Sequence, residues 1–422
     1  MPVNAVNQEL AWLAKVLWGP TPELRARVGE AGPGFRAMAA WGVLPSSRRP
    51  RVLVPLGSPR AAAGALRQYN DAMSGRARLA KALGALGLRS GAPQRLLAAR
   101  GSVLTVGSAG GGADGSGALL PGYLAEALGR DDLAAAILLG PVRPNRKPVI
   151  QLLDPAGRPL GYVKVGWNGL TRRLVRREAA MLERLAAAEP RAFQVPRLLH
   201  QGRWHDLEVT ISSALPHRLL PRRGRRGALP PLAAGREVAA LGGITRAALG
   251  DSPYWNDLSG RLAALRRRAA GRAAERLDGL LAALGARSGS PLWFGSWHGD
   301  WGPWNMRATG DRLLVWDWER SGDGVPLGFD PLHFAFQTAL QQRREPVAAA
   351  AGGALRRAGA TLRQLGQEAA AGELVLDLYL AERLCRASEV ESSAVTGRPD
   401  AVGAALLDTL ERRLDADPGR AD

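Results

Sequence analysis

The sequence predicts an α+β fold with two lobes, a small strand-rich lobe and a large, mostly helical lobe, behind an extra N-terminal α/β subdomain. Short apolar runs of strand length dominate residues 134–211, with one helical stretch among them. From residue 235 onwards, long Ala- and Leu-rich stretches carry apolar residues at helical spacing. The expected domains are residues 1–119, 120–216 and 217–422.

Composition limits the class of protein. The chain has 422 residues, 46% of them hydrophobic and 23% charged, which is typical of a globular protein of two or three domains. No apolar run approaches the roughly 18 residues of a membrane helix, and the N-terminal residues show no secretory signal. The single cysteine, Cys385, excludes an intrachain disulfide and a cysteine-built zinc site, and the five histidines lack metal-ligand spacing. We therefore expect a cytoplasmic protein with no membrane partner.

The net charge of +19 raises the question of nucleic-acid binding. The basic residues are nearly all arginines, scattered over predicted helices without a dense run or interleaved aromatic residues. We interpret the charge mainly as an arginine-rich composition with a secondary role in attracting nucleotide phosphates. We expect no principal nucleic-acid partner.

Residues 1–119 carry no recognisable motif. The apolar patterns predict a helix at 8–17, strands at 35–44, 51–56 and 102–106, and one or two helices at 59–83. The glycine run at 108–117 lacks the Gly-Lys-Ser/Thr end of a phosphate loop, so we interpret it as a flexible connector.

In the small lobe, the patterns predict a helix at 123–128 and strands at 134–139, 148–153, 161–167, 194–199 and 207–211, with a hinge at 212–216. The turn between the first two strands offers Arg143, Asn145, Arg146 and Lys147. These residues can meet phosphate oxygens or form a solvated hairpin tip, and the sequence leaves both open.

Lys164 lies in the middle of a predicted strand and is one of only four lysines among 57 basic residues. A half-buried ammonium group requires an anionic partner. The helix predicted at 171–185 supplies Glu178, which lies on its apolar face four residues after Leu174. A carboxylate on such a face is costly unless it is paired. We therefore expect Lys164 and Glu178 to form an ion pair; the alternative is a surface lysine and a helix-edge glutamate that never meet.

The large lobe is expected to begin with a loop or lid at 221–231. Helices are predicted at 235–248, 256–284, 331–344, 346–365, 374–391 and 401–414, and a strand at 293–297.

The densest set of polar residues is the stretch 297–319, WHGDWGPWNMRATGDRLLVWDWE. Asn305 follows Asp300 by five positions, and a hairpin predicted at 308–316 folds the chain back, so Asp317 can converge with both. Phosphoryl transfer needs such a set. One carboxylate takes the proton of an attacking hydroxyl, while amide and carboxylate oxygens hold Mg²⁺.

HGDWGPWN followed by VWDWE resembles the catalytic and metal-binding segments of the aminoglycoside phosphotransferase/choline kinase-like family, small-molecule kinases with a protein-kinase-like fold. The resemblance covers about residues 130–400. It implies an antiparallel-sheet small lobe, 120–216, that binds the nucleotide, and a large lobe, 217–422, that carries catalysis and acceptor binding. It also implies ATP and Mg²⁺ as cofactors.

By this resemblance, Asp300 would be the catalytic base, Asn305 and Asp317 the metal ligands, and His298 a structural support of the loop. Asp330 would bind the backbone of the catalytic loop or cap the helix that follows, although the first aspartate of the family's pattern is missing here.

Lys164 with Glu178 resembles the kinase lysine–glutamate pair that holds the α- and β-phosphates. Arg143 and Lys147 would add phosphate contacts.

For several other residues the sequence allows two interpretations. Acidic residues of the C-terminal helices can receive a cationic amine or simply face water: Glu373, Asp377, Glu382, Glu389 and Glu391. Trp301 and Trp304 can contact a ring of the acceptor or pack the loop, and Glu319 can assist the metal or lie on the surface.

The sequence therefore predicts an ATP- and Mg²⁺-dependent phosphotransferase that moves the γ-phosphate to a hydroxyl of a small molecule, such as a sugar, an aminoglycoside or an amino alcohol. The alternative is a kinase-like nucleotide-binding regulatory protein without turnover. The altered phosphate loop favours this alternative, and the presence of Asp300, Asn305 and Asp317 opposes it.

Overall fold

The computed structural model describes residues 8–19, 24–68, 84–89, 97, 102–108, 119–140, 146–216, 229–309, 312–392 and 401–416. The chain divides into two compact units. The first contains residues up to 142 with 146–179 and 196–218, and the second contains 143–145, 180–195 and 219–422.

In chain order the strands are β1 (Leu24–Val28), β2 (Arg36–Ser46), β3 (Arg49–Pro55), β4 (Val103–Ser108), β5 (Ala134–Leu138), β6 (Val149–Leu153), β7 (Pro159–Gly166), β8 (Phe193–Gln194), β9 (Leu198–Trp204), β10 (Leu207–Ser213), β11 (Thr245–Ala248), β12 (Pro291–Trp297), β13 (Met306–Ala308), β14 (Leu313–Val315) and β15 (Gly322–Pro326). The helices are α1 (Gln8–Trp18), α2 (Pro59–Gln68), α3 (Leu120–Leu128), α4 (Gly169–Ala188), α5 (Leu232–Ala240), α6 (Pro253–Arg268), α7 (Arg272–Gly285), α8 (Phe329–Gln337), α9 (Val347–Gln364), α10 (Gly372–Ser392) and α11 (Ala401–Asp415).

The first unit is built on one antiparallel sheet of nine strands in the order β1-β4-β2-β3-β5-β6-β7-β10-β9. Side chains alternate between its two faces, as in any strand. On β3, Leu53 joins a core with α1 and α3, whereas Val52 and Val54 pack against the alanines of α2. Residues 1–119, expected as an accessory subdomain, supply β1 to β4 to this same sheet, because β3 pairs directly with β5.

The second unit is mostly helical. Helices α6 to α11 contribute to a core that includes Tyr254, Phe294, Phe329 and Tyr379. Two small sheets, β11-β12-β15 and β13-β14-β8, carry the hairpin that follows β12. The predicted α+β class, with one strand-rich and one mostly helical part, is confirmed. None of the helices that the structure describes is long and apolar enough to cross a membrane.

Three predicted elements are wrong in their extent. The helix predicted at 235–248 ends at Ala240, and Thr245–Ala248 forms β11, which pairs with β12. The helical stretch predicted at 256–284 is two helices, separated at Gly271, whose φ is +53°. The strand predicted at 194–199 is divided between β8 and β9.

Some predictions fall on residues that the structure does not describe. They concern most of the glycine run at 108–117, residues 69–83 of the predicted helices, the turn residue Arg143 and most of the loop at 221–231.

Candidate active site

Lys164 and Glu178 lie in direct contact in the first unit. Lys164 is on β7, between Val149 of β6 and Thr210 of β10, and its Nζ lies 2.6 Å from Oε2 of Glu178 on α4. The two side chains are only 15% and 4% exposed, so water screens the pair weakly. The Thr210 hydroxyl donates to the carbonyl of Val175 at 3.2 Å, which fixes α4 against the sheet. The structure thus places the predicted cation and carboxylate together.

Close packing and capping set the start of α4. A Cβ at Gly166, the last residue of β7, would lie 2.7 Å from a backbone atom of the first turn, so only glycine allows this approach. Asn168 Oδ1 accepts the N–H of Thr171 at 2.8 Å, and the Thr171 hydroxyl accepts the N–H groups of Trp167 and Asn168, each at 3.0 Å. This reciprocal capping fixes the helix that carries Glu178.

The basic turn before β6 is only partly described, because Arg143 lies outside the described residues. Arg146 is buried, lies 3.0 Å from Glu9 of α1 and has its guanidinium 4.5 Å from the ring centre of Trp12. It therefore anchors the segment to α1 and is not exposed for phosphate binding. Lys147, the next residue, is half-buried.

In the second unit, Asp330 at the start of α8 holds the loop that follows β12. Its carboxylate oxygens accept the backbone N–H groups of His298, at 2.8 Å, and Gly299, at 3.2 Å. Burial raises the pKa of Asp330 to about 7, and the two N–H donors oppose this shift. Of the two roles expected for Asp330, the structure shows contact with the loop backbone.

His298 is fully buried and joins the two ends of the hairpin. Its Nδ1 accepts the backbone N–H of Asp300 at 3.1 Å. In the neutral ring the proton is then on Nε2, which donates to the carbonyl of Trp316 at 3.1 Å. His298 thus ties the backbone of Asp300 to the residue that precedes Asp317, a supporting position.

Asp300 is held on both carboxylate oxygens. Oδ2 accepts from Nδ2 of Asn305 at 2.8 Å and from Nε1 of Trp304 at 3.3 Å, and Oδ1 lies 3.0 Å from Nε2 of His333 on α8. Burial alone would raise the pKa of Asp300, but the hydrogen bond from His333 and the other donors hold this pKa well below its usual range. The side chain is 31% exposed, so Asp300 is an ionised carboxylate that a substrate can reach.

The predicted hairpin is present. Met306 of β13 pairs with Val315 of β14, and the Trp316 N–H donates to the carbonyl of Asn305 at 3.0 Å. Asp317 follows with φ at +70°, a conformation that costs a non-glycine residue of order 1–3 kcal/mol and is concentrated at functional sites. The hairpin therefore brings the side chains of Asp300 and Asn305 into contact and fixes the backbone next to Asp317.

The oxygens of this hairpin suit a divalent cation. Asn305 donates from Nδ2 to the carbonyl and carboxylate of Asp300, and its side-chain oxygen accepts no hydrogen bond from the residues described. A carboxylate oxygen of Asp317 and one of Glu319 lie within 4.8 Å of each other. Like charges this close favour a bound cation, and magnesium prefers carboxylate and amide oxygens. Glu319 is buried, so its interpretation as a surface residue is wrong.

The two tryptophans of the loop differ. Trp301 is buried, with its ring centre 5.5 Å from that of His298, so packing of the loop explains it. Trp304 is half-buried and donates to Asp300. A Cβ at Gly302 would lie 2.5 Å from the Trp304 ring, so glycine makes room for that ring beside Asp300.

Three acidic residues of α10 are engaged in ion pairs and do not present a free carboxylate for a cationic amine. They pair with arginines of the same unit: Glu373 and Asp377 with Arg413, and Glu382 with Arg261 and Arg386. Glu373 and Glu389 are exposed, as expected of residues that face water, whereas Asp377 and Glu382 are buried and fit neither interpretation. The side chain of Glu391 lies outside the described residues.

His333 belongs to the site although the sequence did not predict it. It is buried, lies on α8 three residues after Asp330, and contacts Asp300. Helical spacing of three places His333 on the same face as Asp330, and this spacing is the signal that could have revealed it.

No family model and no curated protein matches the chain. Solved structures similar to it include a thermostable mutant of the aminoglycoside phosphotransferase APH(4)-Ia, in complex with ADP and hygromycin B, at 17% identity, with 70% of this chain and 98% of that chain covered and a TM-score of 0.45. A choline/ethanolamine kinase family protein from Mesorhizobium loti matches at 16% identity, with coverages of 67% and 88% and a TM-score of 0.37. The amicoumacin kinase hAmiN, in complex with AMP-PNP and Ca²⁺, matches at 12% identity, with coverages of 64% and 85% and a TM-score of 0.40. These likenesses are distant, so the residues themselves carry the functional argument.

Proposed function

We propose that the chain is an ATP- and Mg²⁺-dependent phosphotransferase that moves the γ-phosphate of ATP to a hydroxyl of a small molecule, such as a sugar, an aminoglycoside or an amino alcohol. One observation carries the proposal. Asp300 and Asn305 are hydrogen-bonded to each other on a loop that Asp330 and His298 hold in place. A proton acceptor and an oxygen ligand for a cation are thus fixed side by side.

Asp300 accepts the proton of the attacking hydroxyl as the bond between that oxygen and the γ-phosphorus forms. The bond from the γ-phosphorus to the bridging oxygen of the β-phosphate breaks, and ADP leaves. The low pKa of Asp300 keeps it ionised and ready to accept. A weak base suffices, because the transition state of phosphoryl transfer is loose. The bond from the attacking oxygen to phosphorus is barely formed there, so the hydroxyl does not yet need to lose its proton.

The side-chain oxygens of Asn305 and Asp317 would hold Mg²⁺, and Glu319 would add negative charge beside Asp317. When bound, the ion neutralises charge on the phosphate oxygens. The orientation of Asn305 follows from its own hydrogen bonds, since its Nδ2 is engaged by Asp300 and only its oxygen is left for a cation.

For the nucleotide, Lys164, oriented by Glu178, would bind the α- and β-phosphates. Lys147 would add a phosphate contact, as would Arg143 outside the described residues. The backbone at 212–216, where β10 ends, would bind the adenine edge.

Release of ADP in the presence of ATP, Mg²⁺ and a panel of sugars, aminoglycosides and amino alcohols tests the proposal, with a metabolite extract and mass spectrometry to find an acceptor outside the panel. Asp300→Asn should lower turnover by about 10²–10⁴-fold, the usual effect of losing a general base. It should leave ATP affinity within about twofold, because ATP is held by other residues. Asp278→Asn, an exposed carboxylate paired with Arg266, is the matched control and should keep full turnover.

A protein that binds ATP but phosphorylates no acceptor in the panel or the extract would support the nucleotide-binding regulatory alternative. Equal turnover of Asp300→Asn and Asp278→Asn would remove Asp300 from the role of base.

A further inference from the structure

Behind the base, a buried chain of hydrogen bonds runs from α10 through α8 to the loop. Tyr379 Oη lies 3.1 Å from Nδ1 of His333, and Nε2 of His333 lies 3.0 Å from Oδ1 of Asp300. Tyr379 and His333 are 0% and 1% exposed. We propose that His333, oriented by Tyr379, positions Asp300 so that a single lone pair, on Oδ1, is left for the acceptor hydroxyl. This inference rests on the proposed function.

The direction of each hydrogen bond follows from the acceptor at its end. An ionised carboxylate can only accept, so Nε2 of His333 must carry a proton. Burial lowers the pKa of His333 to about 4, so the ring is neutral near pH 7 and Nδ1 is unprotonated. Nδ1 can then only accept, and the Tyr379 hydroxyl donates to it. Loss of that hydroxyl would leave the buried Nδ1 without its donor and let the ring tilt, although the carboxylate of Asp300 still keeps the proton on Nε2.

Counting lone pairs locates the free position on the base. The two oxygens of a carboxylate offer about four acceptor positions. Asn305 and Trp304 occupy those of Oδ2, and His333 occupies one on Oδ1. The remaining position is therefore on Oδ1, next to His333, and the acceptor hydroxyl has to approach there.

In the described part of the second unit, the side-chain hydrogen bonds of His333 and Tyr379 join them only to each other and to Asp300, so their effect should fall on turnover. Orientation of reacting groups is worth large factors in rate, and a carboxylate free to rotate spends less time aligned. Besides Asp300, the charged groups that act on the imidazole include Arg383 and Arg386 of α10, whose positive charge opposes its protonation. The donor from His333 to Asp300, and not a charge on His333, is what positions the base.

Three variants and a control test this role. His333→Leu removes the donor and should lower kcat by about 100-fold or more, whereas His333→Gln, whose amide nitrogen reaches the place of Nε2, should recover kcat to within about tenfold of the wild type. Tyr379→Phe should lower kcat about three- to tenfold with an unchanged KM for ATP. Tyr254→Phe is the control: Tyr254 is also buried in this core, and its hydroxyl donates to the carbonyl of Leu378 at 3.3 Å.

The measurements are kcat, KM for ATP, the thermal unfolding midpoint, and the ¹⁵N chemical shifts of the His333 ring. Tyr254→Phe should lose stability comparable to that of Tyr379→Phe but keep kcat within about twofold. Equal kcat for these two variants would overturn the proposal, and the comparison decides the matter even if His333→Leu does not fold. The ring shifts should show one tautomer, protonated on Nε2, in the wild type and in Tyr379→Phe, and the Nδ1 shift should move in Tyr379→Phe because its hydrogen bond is lost. These shifts do not depend on turnover. An inactive protein whose His333 ring is protonated on Nε2 would therefore contradict the proposed function alone. A wild-type ring protonated on Nδ1 would contradict the positioning role alone.

Discussion

At the scale of single residues, Gly299 shows how tightly the loop before the base is built. Its φ is +81°, and a Cβ there would lie 2.0 Å from the carbonyl oxygen of Arg320. Gly324 has a similar φ of +67°, but no atom lies within 4 Å of a Cβ built there. The two glycines therefore separate the cost of the backbone conformation from the cost of a steric clash.

We predict that Gly324→Ala costs about 1–2 kcal/mol of unfolding free energy, the penalty of a left-handed conformation for alanine. Gly299→Ala should cost about 1–3 kcal/mol more, because the Cβ forces the loop away from Arg320, and it should also lower kcat. Urea unfolding and steady-state kinetics of both variants measure this. Equal losses of unfolding free energy in the two variants would mean that the loop moves away from the added Cβ at no energetic cost.

His333 also predicts a dependence of stability on pH. Its pKa is about 4 in the folded chain because of burial and about 6.5 in an unfolded one. Between these values the unfolded state binds the proton and the folded state does not, so this residue lowers stability as the pH falls from about 6.5 towards 4. His333→Gln has no titrating group at this position and so lacks this loss of stability. The raised pKa of Asp330 changes stability in the opposite direction. Because Asp330 is present in both proteins, its contribution cancels when they are compared.

We therefore predict that the wild type loses about 2 kcal/mol relative to His333→Gln between pH 7 and pH 5. Chemical unfolding at several pH values measures the difference. A difference that stays constant over this range would mean that His333 titrates normally in the folded protein.

The site residues could be predicted only in part. Asp300, Asn305 and Asp317 lie within one short stretch, so their spacing and the hairpin pattern were sufficient to single them out. The link between His333 and Asp300 joins residues 33 positions apart, and its one local signal, the three-residue spacing from Asp330, does not specify which loop side chain His333 contacts. For Arg146 the sequence left phosphate contact and a solvated hairpin tip open, and the structure shows neither, because its partners Glu9 and Trp12 lie more than a hundred residues earlier in the chain.

At the scale of elements, most helices and strands follow from apolar periodicity, and the exceptions have local causes. The stretch after Ala240 contains Gly242 and Gly243, which end α5, and the following residues pair with β12. Thr245–Ala248 has no strand pattern of its own, so only the neighbouring strand makes it a strand.

Helix α10 is the element that supports the site most directly from behind. Arg386 donates to the carbonyl of Gly299 at 2.7 Å and to Glu382 at 2.8 Å, and its guanidinium lies 4.3 Å from the ring centre of Trp297. One planar group thus joins α10, β12 and the loop.

We predict that Arg386→Lys lowers kcat about three- to tenfold, because an ammonium group cannot make both hydrogen bonds and the ring contact together. Arg276→Lys is the matched control, since Arg276 of α7 pairs with Glu411 of α11 and touches no residue of the loop. It should change kcat by less than about twofold. A comparable loss of kcat in both variants would point to general destabilisation instead.

At the scale of the whole molecule, the small number of lysines makes the nucleotide proposal testable in the intact protein. Lys164 is 15% exposed beside Glu178, whereas Lys15 on α1 is exposed. An acyl phosphate of ATP transfers its acyl group to an amine near the bound triphosphate, because binding raises the effective concentration. We predict that such a reagent labels Lys164 and that excess ATP blocks this labelling.

Lys15 is the internal control, and its labelling should not respond to ATP. Peptide mass spectrometry reads every lysine in one experiment. Labelling of Lys164 that ATP does not reduce would contradict its assignment to the nucleotide phosphates.

The continuity of the large sheet has a practical consequence for work with fragments. Within it, Val52 and Leu53 pair with Leu138 and Ile137, so a polypeptide starting at residue 120 would leave one edge of β5 bare, together with the apolar surface that α1 covers. Bare edges and uncovered apolar surface recruit other molecules and lead to aggregation. A shorter fragment of this protein therefore has to keep its amino-terminal strands.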